Sequence, residues 1–323
     1  MPRVFVTRQI AQEAIDLLRT AAEVKVWQED RVVPRAVLLT EASQADALLS
    51  LLTEKIDEEL LDAGKKLKIV ANMAVGYDNF DLLALNRHRV VGTNTPGVLT
   101  ETTADFAFAL MMAAARQVVQ AERYVRSGQW ETWEPNLFVG QDIHHATLGI
   151  VGLGRIGTEF AKRARGFDMR VLYSDVQRRP AEFEREHGVE FRKLDDLLAE
   201  SDFVTIHVDL NDSTRKLFNR EHFQKMKSTA YLINAARGAI VDTDALYEAL
   251  KSGQIAGAAL DVTDPEPLPA NHPLLQLENC VVCPHIASAS VRTRTNMAKL
   301  AAENIVNVLQ GKAPLTPVNP EVL

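Results

Sequence analysis

Short runs of aliphatic and β-branched residues recur along the chain, and between them apolar side chains return at the spacing of an amphipathic helix. Arg3 to Thr7 (RVFVT) reads as a strand, and Ile10 to Ala21 as a helix with its apolar face on Ile10, Ala14, Leu17, Leu18 and Ala21. Further strands are predicted at Ala47 to Leu52, Lys68 to Met73 and Val90 to Thr93, with helices around Asp57 to Ala63 and Leu82 to His88. Thr93 to Leu99 (TNTPGVL) interrupts the rhythm, and Thr102-Thr103-Ala104-Asp105 opens the next helix with a capping-box pattern. Phe106 to Val119 is apolar on more than one face, which predicts a helix buried between domains or between subunits. Gly128 to Gly140, carrying Trp130, Trp133, Pro135 and Phe138, reads as an aromatic loop, suited equally to an interface, a pocket wall or a core.

The alternation then resumes. Strands are expected at Leu148 to Gly152, Met169 to Tyr173, Phe203 to His207, Ala230 to Asn234, Ala258 to Val262 and Cys280 to Cys283. Helices fall at Thr158 to Arg165, Leu194 to Glu200, His222 to Met226, Thr243 to Ser252, and Arg292 to Leu309 ending at Gly311. Strands alternating with helices imply parallel sheets with ligands at the strand C-termini, and the second half reads as a doubly wound sheet. One such strand end, Ala74-Val75-Gly76-Tyr77-Asp78, has a glycine where backbone N–H groups need to face a small anion.

A chain of 323 residues, 46% hydrophobic, is long enough for two cores. The final helix is of a length to return to the first domain, giving a discontinuous domain of residues 1–99 and 291–323 around a second of residues 100–290. A net charge of −7 without a basic block argues against a nucleic-acid partner. The N-terminus MPRVFVTRQI lacks the apolar core of a signal peptide, and no run of 18 apolar residues occurs, so a cytoplasmic protein without a membrane partner is expected. The only cysteines, Cys280 and Cys283, stand three apart on a strand and so point to opposite faces, which favours buried strand residues over a metal or redox pair.

Gly152-Leu153-Gly154-Arg155-Ile156-Gly157 joins a strand to a helix. Gly152 lets the chain turn, Gly154 lets backbone N–H groups approach a pyrophosphate, and Gly157 lets the helix pack closely, with the phosphates on the helix N-terminus. The next strand ends at Ser174-Asp175, about 20 residues on, where an acidic side chain accepts the ribose hydroxyls. Asp175 favours NAD, while Arg178 and Arg179 leave NADP open. Arg237, Glu266 and His285 stand just past strand ends on the side of the glycine turn, so together they are the candidate catalytic residues.

Six motifs in order, AVGYDN (74–79), NTPGVLTETTADFAFAL (94–110), GLGRIG (152–157), NAARGAIVD (234–242), LDVTDPEPLP (260–269) and PHIASAS (284–290), resemble the D-isomer-specific 2-hydroxyacid dehydrogenases, closest to the glyoxylate/hydroxypyruvate reductases. The resemblance implies a Rossmann-type doubly wound parallel sheet beside a smaller, flavodoxin-like α/β substrate domain. It implies Arg237, Glu266 and His285 as the catalytic set, and Val75 and Gly76 as backbone donors to the substrate carboxylate. Leu51 and Trp133 are the further substrate neighbours, Trp133 reaching the active site of a second subunit in a homodimer. On the cofactor side it implies Thr103, the glycine turn with Arg155 and Ile156, Asp175, His207, Val208, Ala235, Ala236 and Asp261 at the carboxamide, together with Ser288.

In that scheme a reduced nicotinamide gives hydride to a small 2-keto acid. Arg237 holds and polarises the substrate, and His285 supplies the proton, its charged form favoured by Glu266. No metal is expected. Ala287 and Asp209 depart from the family's usual glycine and proline, and Val75 stands where the phosphite-oxidising relatives carry lysine. Alternatives are 2-ketogluconate reductase, D-lactate dehydrogenase, phosphoglycerate dehydrogenase, or an NAD(H)-sensing corepressor. The end at Leu323 counts against long-form phosphoglycerate dehydrogenases, and the lack of an appended tail against the corepressors.

Overall fold

The computed structural model describes residues 1–323 and contains two compact units, Met1–Leu99 with Ser288–Leu323, and Thr100–Ala287. In the first, β1 (Arg3–Val6), α1 (Gln12–Arg19), β2 (Glu23–Val26), α2 (Arg35–Ala42), β3 (Ala47–Ser50), α3 (Glu58–Ala63), β4 (Ile69–Asn72), α4 (Leu82–His88) and β5 (Val91–Thr93) build a parallel sheet of order β2-β1-β3-β4-β5. This is the flavodoxin-like order. β3 and β4 are buried along their whole length, so both faces are covered and each strand reads as an aliphatic run closed by one polar residue, Ser50 or Asn72. Phe5, Leu48 and Val70 pack on one face against Leu38, Leu60, Leu61, Ala84 and Leu85. The Asp57 and Asp81 side chains accept hydrogen bonds from the N–H groups of Leu60 and Ala84, caps worth about 1 kcal/mol each that fix where α3 and α4 begin.

The second unit runs through α5 (Thr100–Ala115), α6 (Val118–Arg126), β6 (Thr147–Val151), α7 (Arg155–Ala164), β7 (Arg170–Ser174), α8 (Ala181–His187), β8 (Val189–Phe191), α9 (Leu194–Glu200), β9 (Phe203–Ile206), α10 (Arg220–Lys225), β10 (Tyr231–Asn234), α11 (Thr243–Lys251), β11 (Gly257–Leu260) and β12 (Cys280–Val282). Its strands lie parallel in the order β12-β11-β10-β9-β6-β7-β8. Winding proceeds outward from β6 to β8, then restarts at β9 on the other side of β6. The crevice of such a sheet opens where the direction reverses, outside the C-terminal ends of β6 and β9.

Within this unit α5 packs on α7, β10 and β11, with the Phe108 ring 5.2 Å from that of Phe160. It stops at Ala115, short of the expected Val119. Gln117 turns into the left-handed region, and Gln141 donates its N–H to the Ala115 carbonyl at 2.9 Å, so the returning chain terminates the helix.

After β12 the chain returns to the first unit in α12 (Val291–Leu309), whose N-terminus is capped by Ser290 and which packs on α1, β3 and β4. The tail behind it is pinned by two buried amides. Asn304 Oδ1 accepts from the N–H groups of Leu315 and Thr316 at 2.8 and 3.1 Å. Asn319 Oδ1 accepts from Gly92 N–H at 2.7 Å, beside an antiparallel bridge between Thr93 and Pro317. No helix is long and apolar enough to cross a membrane.

Candidate active site

β6 ends at Val151 and α7 begins at Arg155, so Gly152 and Gly154 fill the turn between them and Gly157 lies in the first turn of the helix. Gly152 has φ +95° and lies so close to the end of β9 that a Cβ there would fall 2.8 Å from both the His207 carbonyl and the Val208 side chain. At Gly157 a Cβ would meet the Gly152 oxygen at 2.2 Å, so the helix sits directly on the turn. Gly154 is the N-cap and supplies no side-chain acceptor, which leaves the first-turn N–H groups at Arg155, Ile156 and Gly157 for an anion.

Asp175, just beyond β7, accepts from Leu153 N–H at 2.8 Å through one oxygen and from Val176 N–H at 2.7 Å through the other. Its carboxylate is thereby aimed beside the turn with lone pairs remaining for ribose hydroxyls. These groups fit a dinucleotide with its pyrophosphate on α7 and its adenosine ribose at Asp175. Arg178 is bound to Glu184 at 2.8 and 2.9 Å and lies over Phe191, while Arg179 donates to the Leu153 carbonyl at 2.5 Å. His207, at the end of β9, contacts Thr205 Oγ1 at 3.0 Å, and burial pushes its pKa down to about 3, so the ring is neutral. Thr103 is buried on α5.

Three strand ends of the same sheet carry the candidate catalytic residues. After β10, Asn234 accepts from Ala236 N–H at 3.0 Å and donates to the Arg237 carbonyl at 2.9 Å, shaping the loop Ala235-Ala236-Arg237. The next residue must be glycine, because a Cβ on Gly238 would fall 2.0 Å from the Thr263 carbonyl group. That close approach brings the Arg237 loop against the one carrying Glu266. His285 follows β12 in a left-handed conformation, φ +56°, and its Nδ1 lies 2.6 Å from Glu266 Oε1.

Asp261 holds this turn in place. Its carbonyl accepts from His285 N–H at 2.8 Å, and its two carboxylate oxygens accept from Ile286 and Ala287 N–H at 2.8 and 2.7 Å. The side chain expected at the nicotinamide carboxamide therefore already has a backbone partner on each oxygen. Burial pushes its carboxyl above the usual range, although those N–H groups oppose the rise. Burial acts in the same upward sense on Glu266, but the hydrogen bond and charge of His285, Thr263 N–H and the charge of Arg237 outweigh it, and the carboxyl lies below the usual range.

Leu51, Val75 and Gly76 belong to the first unit, on loops after β3 and β4, and Ser288 opens its C-terminal segment. Trp133 stands 79% exposed on the loop after α6. The two cysteines are free thiols whose pKa values burial raises, that of Cys280 to about 12. Sequence reasoning does not single out Asn234, although a polar side chain closing an apolar strand is visible there.

The family model for the D-isomer specific 2-hydroxyacid dehydrogenase, NAD binding domain, matches residues 108–287. A glyoxylate reductase of Korarchaeum cryptofilum is 51% identical over 323 residues, covering 100% of this chain and 97% of its own. The crystal structure of a protein from Thermus thermophilus superposes with a TM-score of 0.93 at 46% identity, covering 98% of this chain and 99% of the other. That of the NADPH-dependent glyoxylate/hydroxypyruvate reductase from Sinorhizobium meliloti, in complex with NADP and malonate, gives 0.85 at 32% identity, with 99% and 98% covered. Identity of this extent from end to end, on a fold that superposes over the same span, makes the chain a member of the D-isomer specific 2-hydroxyacid dehydrogenases, NAD(P)-dependent oxidoreductases.

Proposed function

We propose that the chain reduces glyoxylate and hydroxypyruvate to 2-hydroxy acids, of D configuration where a stereocentre forms, with NADH preferred over NADPH. The observation that carries this reading is the His285–Glu266 pair, 2.6 Å apart, with Arg237 close enough for its charge to lower the Glu266 pKa. With Nδ1 facing Glu266, Nε2 of His285 is the nitrogen free to face a substrate. Arg237 grips the keto acid and polarises its ketone through charge-assisted hydrogen bonds. The bound nicotinamide supplies the hydride to the carbonyl carbon. His285 delivers its Nε2 proton to the carbonyl oxygen as charge develops there.

Asp175 supports NADH, since its carboxylate repels a 2′-phosphate and Arg178 is already bound to Glu184. Val75 and Gly76 are assigned to the substrate carboxylate, with Leu51 beside it. α6 has no buried residue, and Val125, Trp130 and Trp133 are exposed around it, which supports a homodimer built on this surface with Trp133 offered to the partner's site.

The test follows NADH and NADPH oxidation against glyoxylate, hydroxypyruvate, pyruvate and 2-ketogluconate. Glyoxylate and hydroxypyruvate with NADH are expected to give the highest kcat/KM, and His285→Ala to lower kcat by a factor on the order of 10² to 10⁴. No turnover with any keto acid, or full activity in His285→Ala, overturns the proposal.

A further inference from the structure

The first unit carries a row of polar side chains at its strand ends. Ser50 pairs in register with Asn72, while Val6 pairs with Leu49 and Ala71 with Thr93, so Thr7 and Asn94 extend the same row. Thr7, Ser50 and Asn72 are fully buried. Polar groups buried in an apolar sheet cost free energy, and Asn72 Oδ1 has no hydrogen-bond partner, a cost that an apolar side chain would not incur.

What the amides do is hold one loop. Asn72 Nδ2 donates to the Gly76 carbonyl at 2.9 Å, Asn94 Nδ2 to the Val75 carbonyl at 2.7 Å, and Thr95 N–H to the Ala74 carbonyl at 2.8 Å. Three consecutive carbonyls are thus drawn toward the sheet. In a trans peptide the N–H points opposite to the carbonyl of the same unit, so the N–H groups of Val75, Gly76 and Tyr77 face away from it together. No backbone hydrogen bond of the chain uses these three donors. Successive N–H groups on one side of a loop form a concave seat for an anion.

The neighbouring loop is tied to the same residues. Asn72 Nδ2 also reaches Asn79 Oδ1 at 3.2 Å, and Asn79 Nδ2 donates to the carbonyls of Leu51 and Glu54 at 3.1 and 2.8 Å. Glu54, 2% exposed, accepts from Leu51 N–H and from Thr7 Oγ1, both at 2.7 Å.

We propose that Asn72 and Asn94 are positioning residues that hold the N–H edge of Val75–Tyr77 toward the substrate carboxylate. This rests on the reading that the substrate is a 2-keto acid bound at Val75 and Gly76. Neither side chain touches the substrate; each acts through a carbonyl it restrains.

The test uses the full-length enzyme with Asn72→Leu, which removes both donors, and Asn94→Asp, which keeps the shape but turns an acceptor toward the Val75 carbonyl. Kinetic constants for glyoxylate, inhibition by oxalate as an unreactive dicarboxylate, NADH affinity by fluorescence and thermal unfolding are compared with the parent. In each variant the KM for glyoxylate and the inhibition constant for oxalate should rise together by about tenfold, the weight of one or two hydrogen bonds. kcat, NADH affinity and cooperative unfolding should stay within about twofold or a few degrees. Unchanged oxalate inhibition in both variants overturns the proposal. So does a loss shared equally with NADH affinity or with folding, which would make the amides merely structural. A parent enzyme without glyoxylate turnover would instead defeat the underlying reading of the substrate.

Discussion

His285 occupies a left-handed backbone conformation that costs a non-glycine residue about 1–2 kcal/mol, and Asp261 opposes that cost with two hydrogen bonds from its carboxylate to the following N–H groups. Charge-assisted bonds of this kind contribute about 1.5–3 kcal/mol each, so the turn is held and the imidazole arrives at Glu266 already oriented. The Glu266 carboxyl lies below the usual carboxylate range, so the sign of its pH effect is fixed. The pair is fully formed above the unfolded pKa of Glu and is lost as pH falls through the lower, folded value. An acid limb of kcat/KM for keto-acid reduction is therefore expected below pH 4.5, the ordinary value for this side chain. Glu266→Gln should abolish that limb and reduce kcat by about 10- to 100-fold, measured as pH–rate profiles of the two proteins. An acid limb that persists unchanged in Glu266→Gln would assign it to another group. Arg237, Glu266 and His285 are legible as candidates because each is a polar residue past a strand end on the side of the glycine turn. Asn72 and Asn94 are not, because their work depends on the register between strands far apart in the chain.

Among the elements, the strands inside each sheet are legible in the sequence, and of the four edge strands β5 and β12 are legible while β2 and β8 are not. β3, β4, β9 and β10 are buried along all or nearly all of their length and read as mostly apolar runs, ALLS, IVAN, FVTI and YLIN. β2 (EVKV) alternates exposed and half-buried positions at one edge, β8 is a three-residue edge strand, and α8 (AEFEREH) has no buried residue, so hydrophobic pattern carries no signal for any of them. The end of β9 also carries a prediction. The His207 ring packs 5.3 Å from Phe160 of α7 and, pushed down to about 3 by burial, stays neutral where an unfolded histidine of pKa 6.5 takes up a proton. The unfolded state then binds more protons, so stability declines as pH falls from 6.5 toward 3, by up to about 1.4 kcal/mol per pH unit. Urea midpoints of the cofactor-free enzyme between about pH 7 and 4.5, above the carboxylate titrations, should fall less steeply in His207→Gln than in the parent. Equal slopes would show that His207 takes up its proton in the folded state.

For the molecule as a whole, the unresolved balance is between its net charge of −7, which favours a dispersed monomer, and an apolar surface on the second unit. Val118, Val125, Trp130, Trp133 and Val139 are each more than half exposed on α6 and the loop that follows it. Large exposed apolar side chains gathered on one helix and its following loop are characteristic of an interface, where aromatic side chains dominate the energetics. The proposed homodimer would cover this surface, since like surfaces meet across a two-fold axis with no other partner required. Val125→Lys, on the exposed face of α6, places a charge where the two copies would meet and should shift sedimentation from dimer to monomer. Trp133→Ala removes the side chain assigned to the partner's site, and should leave the dimer intact while lowering kcat/KM for the keto acid by about tenfold or more. The two variants separate assembly from catalysis. If Val125→Lys sediments as the parent does, α6 is not the interface; if Trp133→Ala retains full kcat/KM, the loop shields the assembly without reaching a substrate.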